Sequence, residues 1–455
     1  MVSAHKLKND APSSSRILSK EIASVDEAPG RTRLELFEHR SYVLLVLCLV
    51  YALSSLDGYT FPILLHPIKK EFNLSDTQLG FLAGMASAAF YVAFTIPLGR
   101  LADRWRRSKM IAISVSLFSV MTGALSFTTA LWQLIAVRAG CAIGVAGTFP
   151  ASTSMIADLY SERSRGTATA LLTMGGFAGS FLAFALGGIM VENLGWRTTL
   201  QLLALPGVLL GLLIHLTVQE PKRGAMDVQR ASSTAKTIPV GEVLTFLWGQ
   251  RSLRHLTAGA TLVYMYVYGL VTWIPSYFQR SYGMGLAETG FVLGVPIGGA
   301  TLVSMFTAGV LSDRLARRDV RWRAWMVSIA LGIAFPFSLL TFLAPNKTMA
   351  ISTYAVSAVL CSLYQSPTYT LAQGVVPPRL RATAIALFNA FLVVVSSVGP
   401  QLMGISSDLL HARWGMDSLR YSVLAFTPLL IWASVHFYWS TRYLPGDRIR
   451  AQEES

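Results

Sequence analysis

The sequence predicts an all-α membrane protein with twelve transmembrane helices in two pseudo-symmetric six-helix bundles. Its 455 residues are 53% hydrophobic and only 14% charged, with a mean hydropathy of +0.50, whereas a soluble protein carries about 25% charged residues. Apolar windows long enough to cross ~30 Å of hydrocarbon occur six times in each half of the chain. A polar loop motif also recurs between these windows, which indicates two related halves.

The apolar windows and the polar stretches between them predict the division of the chain. The windows begin near Ser41, Thr77, Met110, Leu131, Thr167, Thr198, His255, Thr289, Ala324, Met349, Thr383 and Ser418. The predicted segments are a disordered cytoplasmic tail (1–38), an N-terminal bundle (39–218), a cytoplasmic linker (219–254), a C-terminal bundle (255–443) and a cytoplasmic tail (444–455). The first tail is polar and Ser-rich and has no apolar core, so we do not predict a cleavable signal there.

The repeated motif lies in the loops after the second and eighth windows. The first copy is Gly99-Arg-Leu-Ala-Asp-Arg-Trp-Arg-Arg-Ser-Lys109, and the second is Gly309-Val-Leu-Ser-Asp-Arg-Leu-Ala-Arg-Arg-Asp319. Thus Gly99, Leu101, Asp103, Arg104 and Arg107 recur 210 residues later as Gly309, Leu311, Asp313, Arg314 and Arg317. A second pair, Arg163-Ser-Arg165-Gly-Thr-Ala168 and Arg379-Leu-Arg381-Ala-Thr-Ala384, is offset by 216 residues.

The distribution of basic residues predicts the orientation. Of the 38 lysines and arginines, seven fall on outer segments and Arg138 falls within a window, while the remainder lie on segments assigned to the cytoplasm. The net charge of +14 sits in these short segments, so nucleic acid is not expected as a partner. We expect both termini to be cytoplasmic.

The motifs resemble those of the major facilitator superfamily over about residues 38 to 445. Four stretches further resemble its bacterial spinster-like branch: Leu74-Ser-Asp-Thr-Gln-Leu-Gly-Phe-Leu82, Ala157-Asp-Leu-Tyr-Ser-Glu-Arg-Ser-Arg-Gly-Thr-Ala168, Gly195-Trp-Arg197 and Leu205-Pro-Gly207. With this resemblance we expect a monomeric protein in the inner membrane of a bacterium. The resemblance implies the major facilitator fold, with a central cavity between the bundles. It also implies that the repeated loops form a cytoplasmic gate, whose predicted residues are Gly99, Asp103, Arg104, Arg107, Gly309, Asp313, Arg314 and Arg317. The alternative is that these loops only anchor topology with positive charge.

Small residues recur every four positions in the fifth and eighth windows. The two stripes contain Gly175 and Gly179, and Gly290, Gly294 and Gly298. Such stripes let helix backbones approach closely in a membrane. The resembled fold places these windows opposite each other across the two halves, so the stripes are predicted either to slide on each other or to pack statically within one half.

Aromatic and amide side chains near the middle of later windows are candidate substrate contacts. Tyr268, Tyr364, Gln365 and Asn389 could line a cavity by stacking and hydrogen bonding. The alternative is an ordinary role in packing or as interface anchors.

Two charged residues, Asp57 and Arg138, lie well inside the predicted windows. Intramembrane charges are candidates for function by default, and counting along both helices puts the two at nearly the same depth. The spinster-like branch usually has Asp-Arg and Gly-Glu-Ala where this chain has Asp57-Gly58 and Gly144-Val145-Ala146, so the arginine and the glutamate of that branch are both absent here. The opening Asp57-Gly58-Tyr59 also resembles that of aromatic-acid proton symporters.

These observations predict a secondary active transporter that moves a small organic solute by alternating access. Asp57 is predicted to couple proton movement and Arg138 to bind substrate, with a structural ion pair as the alternative. An organic or aromatic acid and a lysolipid or sphingoid solute both remain open. No nucleotide-binding motif, cofactor motif or metal-ligand cluster is recognisable, and an embedded enzyme or a receptor is the less favoured class.

Overall fold

The computed structural model describes residues 33–223 and 240–453, and the assigned elements in these ranges are helices. They are α1 (Arg33–Phe72), α2 (Asp76–Ala83), α3 (Met85–Arg104), α4 (Arg107–Leu125), α5 (Leu131–Leu159), α6 (Glu162–Thr217), α7 (Val240–Gly249), α8 (Arg251–Tyr282), α9 (Leu286–Gly294), α10 (Thr301–Ala316), α11 (Trp322–Leu343), α12 (Lys347–Ser362), α13 (Gln365–Gly374), α14 (Pro378–Ser396), α15 (Val398–Trp414), α16 (Ser418–Phe426) and α17 (Leu429–Glu453). A π-helical turn (Val295–Ala300) joins α9 to α10, and a 3-10 turn (Gly415–Asp417) joins α15 to α16.

By length and composition, nine helical segments of the described chain could cross a membrane. Two of them are too long for one crossing: Ser164–Thr217 has 54 residues and Pro378–Glu453 has 76. The first is interrupted at Gly195, whose φ of 77° is not helical, and the second at the 3-10 turn. A further crossing consists of α12 and α13 together. The helix is broken near Leu363, so neither part alone is long enough to cross a membrane. The arrangement agrees with the predicted twelve-helix membrane fold.

The crossings pack as two halves. In the first half α6 packs on α1 and α4, and α5 packs on α3 and α4. In the second half α8 and α11 both pack on α17, and α11 also packs on α12. The halves meet where α9 packs on α6 and where α15 packs on α2, so the cavity lies between two bundles.

Local sequence explains several helix ends. Ser75 caps α2 by accepting the Gln78 N–H, while the Gln78 side chain accepts the Ser75 N–H, a reciprocal capping box. Gly283 ends α8 with a φ of 63°, a left-handed conformation in which glycine has no Cβ to clash. Both features lie close in sequence to Asp76 and Arg280, which pair across the two halves.

Several helices extend across the predicted segment bounds. Residues 1–32 of the N-terminal tail and 224–239 of the linker lie outside the described residues. α1 already begins at Arg33, α7 lies inside the predicted linker, and α17 runs on to Glu453. The bounds of the five segments stay predictions.

Candidate functional site

Asp57 and Arg138 face each other between the helices of the first half. Arg138 Nη1 on α5 lies 4.0 Å from Asp57 Oδ2 on α1, and both side chains are 9% exposed. Thr122 on α4 donates a hydrogen bond to the other carboxylate oxygen of Asp57. The structure therefore brings together the two intramembrane charges that the sequence singled out.

The guanidinium of Arg138 has unused hydrogen-bonding capacity. Its Cζ lies 4.2 Å from the centroid of the Phe61 ring, a cation–π contact that provides no acceptor in the ring plane. Within the described part of the chain, Arg138 Nε is buried without a hydrogen-bond partner. Because a buried donor without a partner is unfavourable by about 1–3 kcal/mol, an incoming anion that accepts this hydrogen bond would be stabilised.

These charges line a cavity of about 240 Å³, which we call the charged lobe. The first half contributes Ser54, Asp57, Ser87, Tyr91 and Arg138, and the second half contributes Tyr264, Tyr268, Val393 and Ser396. Because both halves supply walls, a rocking motion of the halves would change access to this lobe.

A second cavity of about 170 Å³ adjoins the charged lobe and shares Tyr264 and Tyr268 with it. Its walls are mainly aromatic and aliphatic, so we call it the aromatic lobe. The lining includes Tyr59, Phe177, Val267, Leu270, Val271, Ile297, Tyr354, Tyr364 and Gln365. The rings of Tyr264 and Tyr364 pack edge to face with centroids 5.8 Å apart.

The predicted substrate contacts divide between these cavities and a separate position. Tyr268 lines both lobes, and its hydroxyl donates to the Ala83 carbonyl of the other half at 3.1 Å. Tyr364 and Gln365 line the aromatic lobe. Asn389 instead accepts a hydrogen bond of 2.7 Å from Tyr369 and is outside the lining of the two lobes. Their roles in substrate binding stay predictions.

A buried ionic network joins the halves at the end of the molecule that the charge pattern predicts to face outward, and we call it the outer seal. Asp76 at the start of α2 is 2% exposed and accepts two hydrogen bonds of 2.7 Å from Arg280 on α8. It also accepts hydrogen bonds from Lys69 at 2.5 Å and from Ser407 at 2.7 Å. Asp408 of the second half accepts hydrogen bonds from the backbone N–H groups of Asp76 and Thr77 at the start of α2. A carboxylate at a helix N-terminus also interacts favourably with the helix dipole.

The sequence-based reasoning missed the outer seal and Thr122. Asp76 belongs to the Leu74–Leu82 motif and Arg280 is one of the seven basic residues on segments predicted to be outer, but the sequence does not indicate that the two are partners. A carboxylate directly after the N-cap Ser75 was one available signal, because acidic residues are favoured in the first turn of a helix. Nothing local to Thr122 indicated that it points at Asp57.

The repeated loops make ion pairs within their own halves. Arg107 is buried and donates to Asp158 at 2.5 Å and to Glu220 at 2.8 Å. Burial alone would raise the pKa of Glu220, but the Ser108 N–H and the Arg107 guanidinium hold it below its usual range. Arg107 therefore ties α4 to α5 and to the segment after α6.

The remaining predicted gate residues lie in the second halves of α3 and α10, except for Arg317, which directly follows α10. Asp313 accepts a hydrogen bond of 2.7 Å from Arg323 in its own half, and Arg104, Arg314 and Arg317 are exposed. A Cβ added at Gly99 or Gly309 would meet open space. The side chain of Asp103 lies outside the described residues. A gate role for this set stays a prediction.

The two glycine stripes have different partners. A Cβ at Gly175 or Gly179 would strike the backbone of α1 in the same half, at Cys48 and Ala52. By contrast, a Cβ at Gly290 would strike the Phe184 carbonyl of the other half, and Gly294 and Gly298 also face α6. The stripe of the fifth crossing is thus packed within its half, whereas the stripe of the eighth lies at the contact between the halves.

Comparison with known proteins connects this geometry to transport. Residues 47–400 match the model of the Major Facilitator Superfamily. An MFS-type efflux pump of Mycolicibacterium smegmatis is 30% identical over 403 residues, covering 88% of this chain and 92% of the pump. The sphingosine-1-phosphate transporter SPNS2 of Danio rerio is 25% identical over 427 residues, covering 88% of this chain and 84% of that protein.

The fold also matches a solved structure over most of its length. A bacterial homolog of the human lysosomal transporter Spinster, in an inward-facing and unoccupied conformation, superposes with a TM-score of 0.83. It is 26% identical, and the match covers 90% of this chain and 98% of that one. The similarity agrees with the predicted resemblance to the spinster-like branch.

Proposed function

Since the chain belongs to the Major Facilitator Superfamily of membrane transporters, we propose that it carries an amphipathic organic anion together with a proton. The observation that carries this proposal is the Asp57–Arg138 pair, separated by 4.0 Å, in a cavity between the halves. An anion fits the unbonded Nε of Arg138, and an apolar or aromatic portion fits the adjoining aromatic lobe.

The coupling follows from competition for Arg138. In the empty site the guanidinium faces the Asp57 carboxylate, and their attraction favours the charged form of the acid. A substrate anion that binds Arg138 weakens this attraction, so Asp57 takes up a proton as the anion binds. Proton and anion then cross together when the halves rock.

The topology of the proposed transporter follows the charge pattern. The chain is a multi-pass membrane protein, and we place both termini in the cytoplasm of a bacterial cell, in the inner membrane. The outer seal closes the cavity on the opposite face, so the described conformation is suited to exchange of substrate with the cytoplasm. The cavity lies within one chain, which is consistent with a monomeric transporter.

The test is accumulation of solute in liposomes that contain the purified chain and a pH gradient. Asp57→Asn should keep counterflow exchange of substrate but lose accumulation driven by the gradient, whereas Arg138→Ala should lose substrate binding. Glu71→Gln is the matched control, because Glu71 pairs with Arg197 at the outer surface, away from the cavity. Wild-type accumulation by Asp57→Asn would falsify the coupling. A membrane-embedded enzyme or a receptor would accumulate nothing.

A second candidate is a single-chain lipid anion of the lysolipid or sphingoid type. The tyrosine-rich, largely apolar aromatic lobe favours it, as does the likeness to a sphingosine-1-phosphate transporter. Thermal-shift titrations with a lysophospholipid and with an aromatic carboxylate separate the two substrate classes. Stabilisation of wild-type protein but not of Arg138→Ala identifies the class that uses the site.

A further inference from the structure

A second polar pocket lies between α8 and α17, outside the solute cavity. It has a volume of about 470 Å³ and is lined by Arg251, Arg254, His255, Ala258, His436 and Tyr443. It sits where α8 begins after the linker and where α17 approaches the C-terminus. With both termini cytoplasmic, as proposed, this pocket faces the cytoplasmic leaflet.

Helical spacing aligns the lining side chains. Arg251, Arg254 and His255 stand at positions i, i+3 and i+4 of α8, and therefore share one face of the helix. On α17, His436 and Tyr443 are seven residues apart and share a face in the same way. The His255 and His436 rings meet with their Nδ1 atoms 3.0 Å apart.

The pocket carries an excess of positive charge and hydrogen-bond donors. Arg251 and Arg254 are exposed, and each guanidinium lies over an aromatic ring: Tyr443 at 5.7 Å and Trp248 at 5.9 Å. The nearby carboxylate of Asp447 is already engaged, because it accepts the Ser252 N–H at 2.6 Å and lies 4.0 Å from Arg450. Two guanidinium groups beside two imidazoles disfavour a metal cation and favour an anion with several acceptor oxygens.

Exposed aromatic residues place this pocket at the membrane interface. Trp248 is 74% exposed, Trp432 56% and Trp439 43%, and tryptophan is enriched at the level of lipid headgroups. The Trp439 ring packs edge to face on His255 with centroids 5.8 Å apart. An anion bound here would therefore sit at headgroup depth beside apolar surface that acyl chains can cover.

We propose that this pocket binds the phosphodiester headgroup of an anionic phospholipid from the cytoplasmic leaflet. Basic pockets between transmembrane helices on that side are suited to such headgroups. Because α8 and α17 belong to the same half, lipid binding is expected to stabilise the protein by mass action without favouring either access state. This site is independent of the substrate and of proton coupling.

The experiment is thermal unfolding of the purified full-length chain, titrated with phosphatidylglycerol in micelles and, separately, with phosphatidylcholine. Wild-type protein should be stabilised by phosphatidylglycerol only. Arg251→Gln/Arg254→Gln should need about 30-fold more of this lipid for the same stabilisation, since each basic residue near an anionic surface contributes about fivefold. The charge-matched control Arg318→Gln/Arg442→Gln removes two other exposed arginines and should behave as wild type.

Other outcomes overturn the proposal. Equal sensitivity of the two double variants would show nonspecific attraction between lipid and net charge. Equal stabilisation by soluble glycerol phosphate at the same phosphate concentration would identify a free phosphate as the ligand instead. If the double variant does not purify, Arg254→Gln alone carries the test with a fivefold expected loss. The thermal-unfolding test does not use transport, so its result does not depend on whether the proposed function is correct.

Discussion

The carboxylate of Asp76 in the first half accepts two hydrogen bonds of 2.7 Å from the guanidinium of Arg280 in the second half. Asp76 is 2% exposed and the Arg280 side chain 6%, so this pair is held away from water. Removing one partner of a buried pair leaves an uncompensated charge, which is unfavourable by about 3–5 kcal/mol. The pair therefore stabilises the contact between the two halves at this end of the molecule.

We expect Asp76→Asn to increase access to the cavity from outside. Native Cys141 lines the charged lobe and can report this access through labelling by a membrane-impermeant maleimide, with Cys48 and Cys361 replaced by Ser. The labelling rate should rise at least tenfold. Glu71→Gln serves as control, since its partner Arg197 lies in the same half. An unchanged rate for Asp76→Asn would mean that the seal does not limit opening.

The two glycine stripes should respond differently to added bulk. Gly290→Leu meets the Phe184 backbone of the other half, so it should block movement between the halves and abolish transport in a folded, monodisperse protein. Gly179→Leu meets Ala52 within the same half and should lower the melting temperature or the yield. The comparison uses three measurements on both variants: the size-exclusion profile, the melting temperature and the transport rate. Full activity of Gly290→Leu would contradict a tight moving contact.

The Arg107–Glu220 contact predicts a pH-dependent stability. The pKa of Glu220 in the folded protein lies below its ordinary value of 4.5. Its stabilisation is therefore fully present above the unfolded pKa and is lost as the pH falls through the folded pKa. At pH 7 the free energy of unfolding of Glu220→Gln should be about 1.5–3 kcal/mol lower than that of the wild type, which is the contribution of a hydrogen bond to a charged group.

Thermal unfolding of wild-type protein and Glu220→Gln from pH 7 down to about pH 3 measures this difference. The difference in melting temperature between the wild type and Glu220→Gln should become smaller as the pH falls below 4.5. Glu242→Gln, which changes an exposed glutamate on α7, should show no such gap. A gap that stays constant with pH would rule out a contribution from the charge of Glu220.

Gln365 tests whether the aromatic lobe receives the apolar part of the substrate. Gln365→Leu replaces a polar group in this lobe and should tighten binding of amphiphiles with longer apolar parts by up to about tenfold, as expected for added apolar burial. Binding of short anions should not change. Asn389→Leu is the comparison, because Asn389 lies outside both lobes and pairs with Tyr369. A larger effect of Asn389→Leu would favour the sequence-based prediction that Asn389 contacts substrate.

Composition, hydropathy and the repeated motif are enough to predict the class of the protein, its twelve crossings and its two related halves. Hydropathy reports the solvent that each segment prefers, and this property is local. The shared depth of Asp57 and Arg138 could also be estimated, because rise per residue along a helix is constant. These inferences do not depend on which helices are neighbours.

The tertiary structure decided which side chains meet. Asp76 reaches Arg280 and Asp408 across more than 200 residues of chain, and Gly179 faces α1 while Gly290 faces α6. Such pairings depend on the rotation of each helix about its axis and on its packing against neighbours. In a membrane these are set by close fit between helices rather than by a hydrophobic pattern, so they leave little trace in a single sequence.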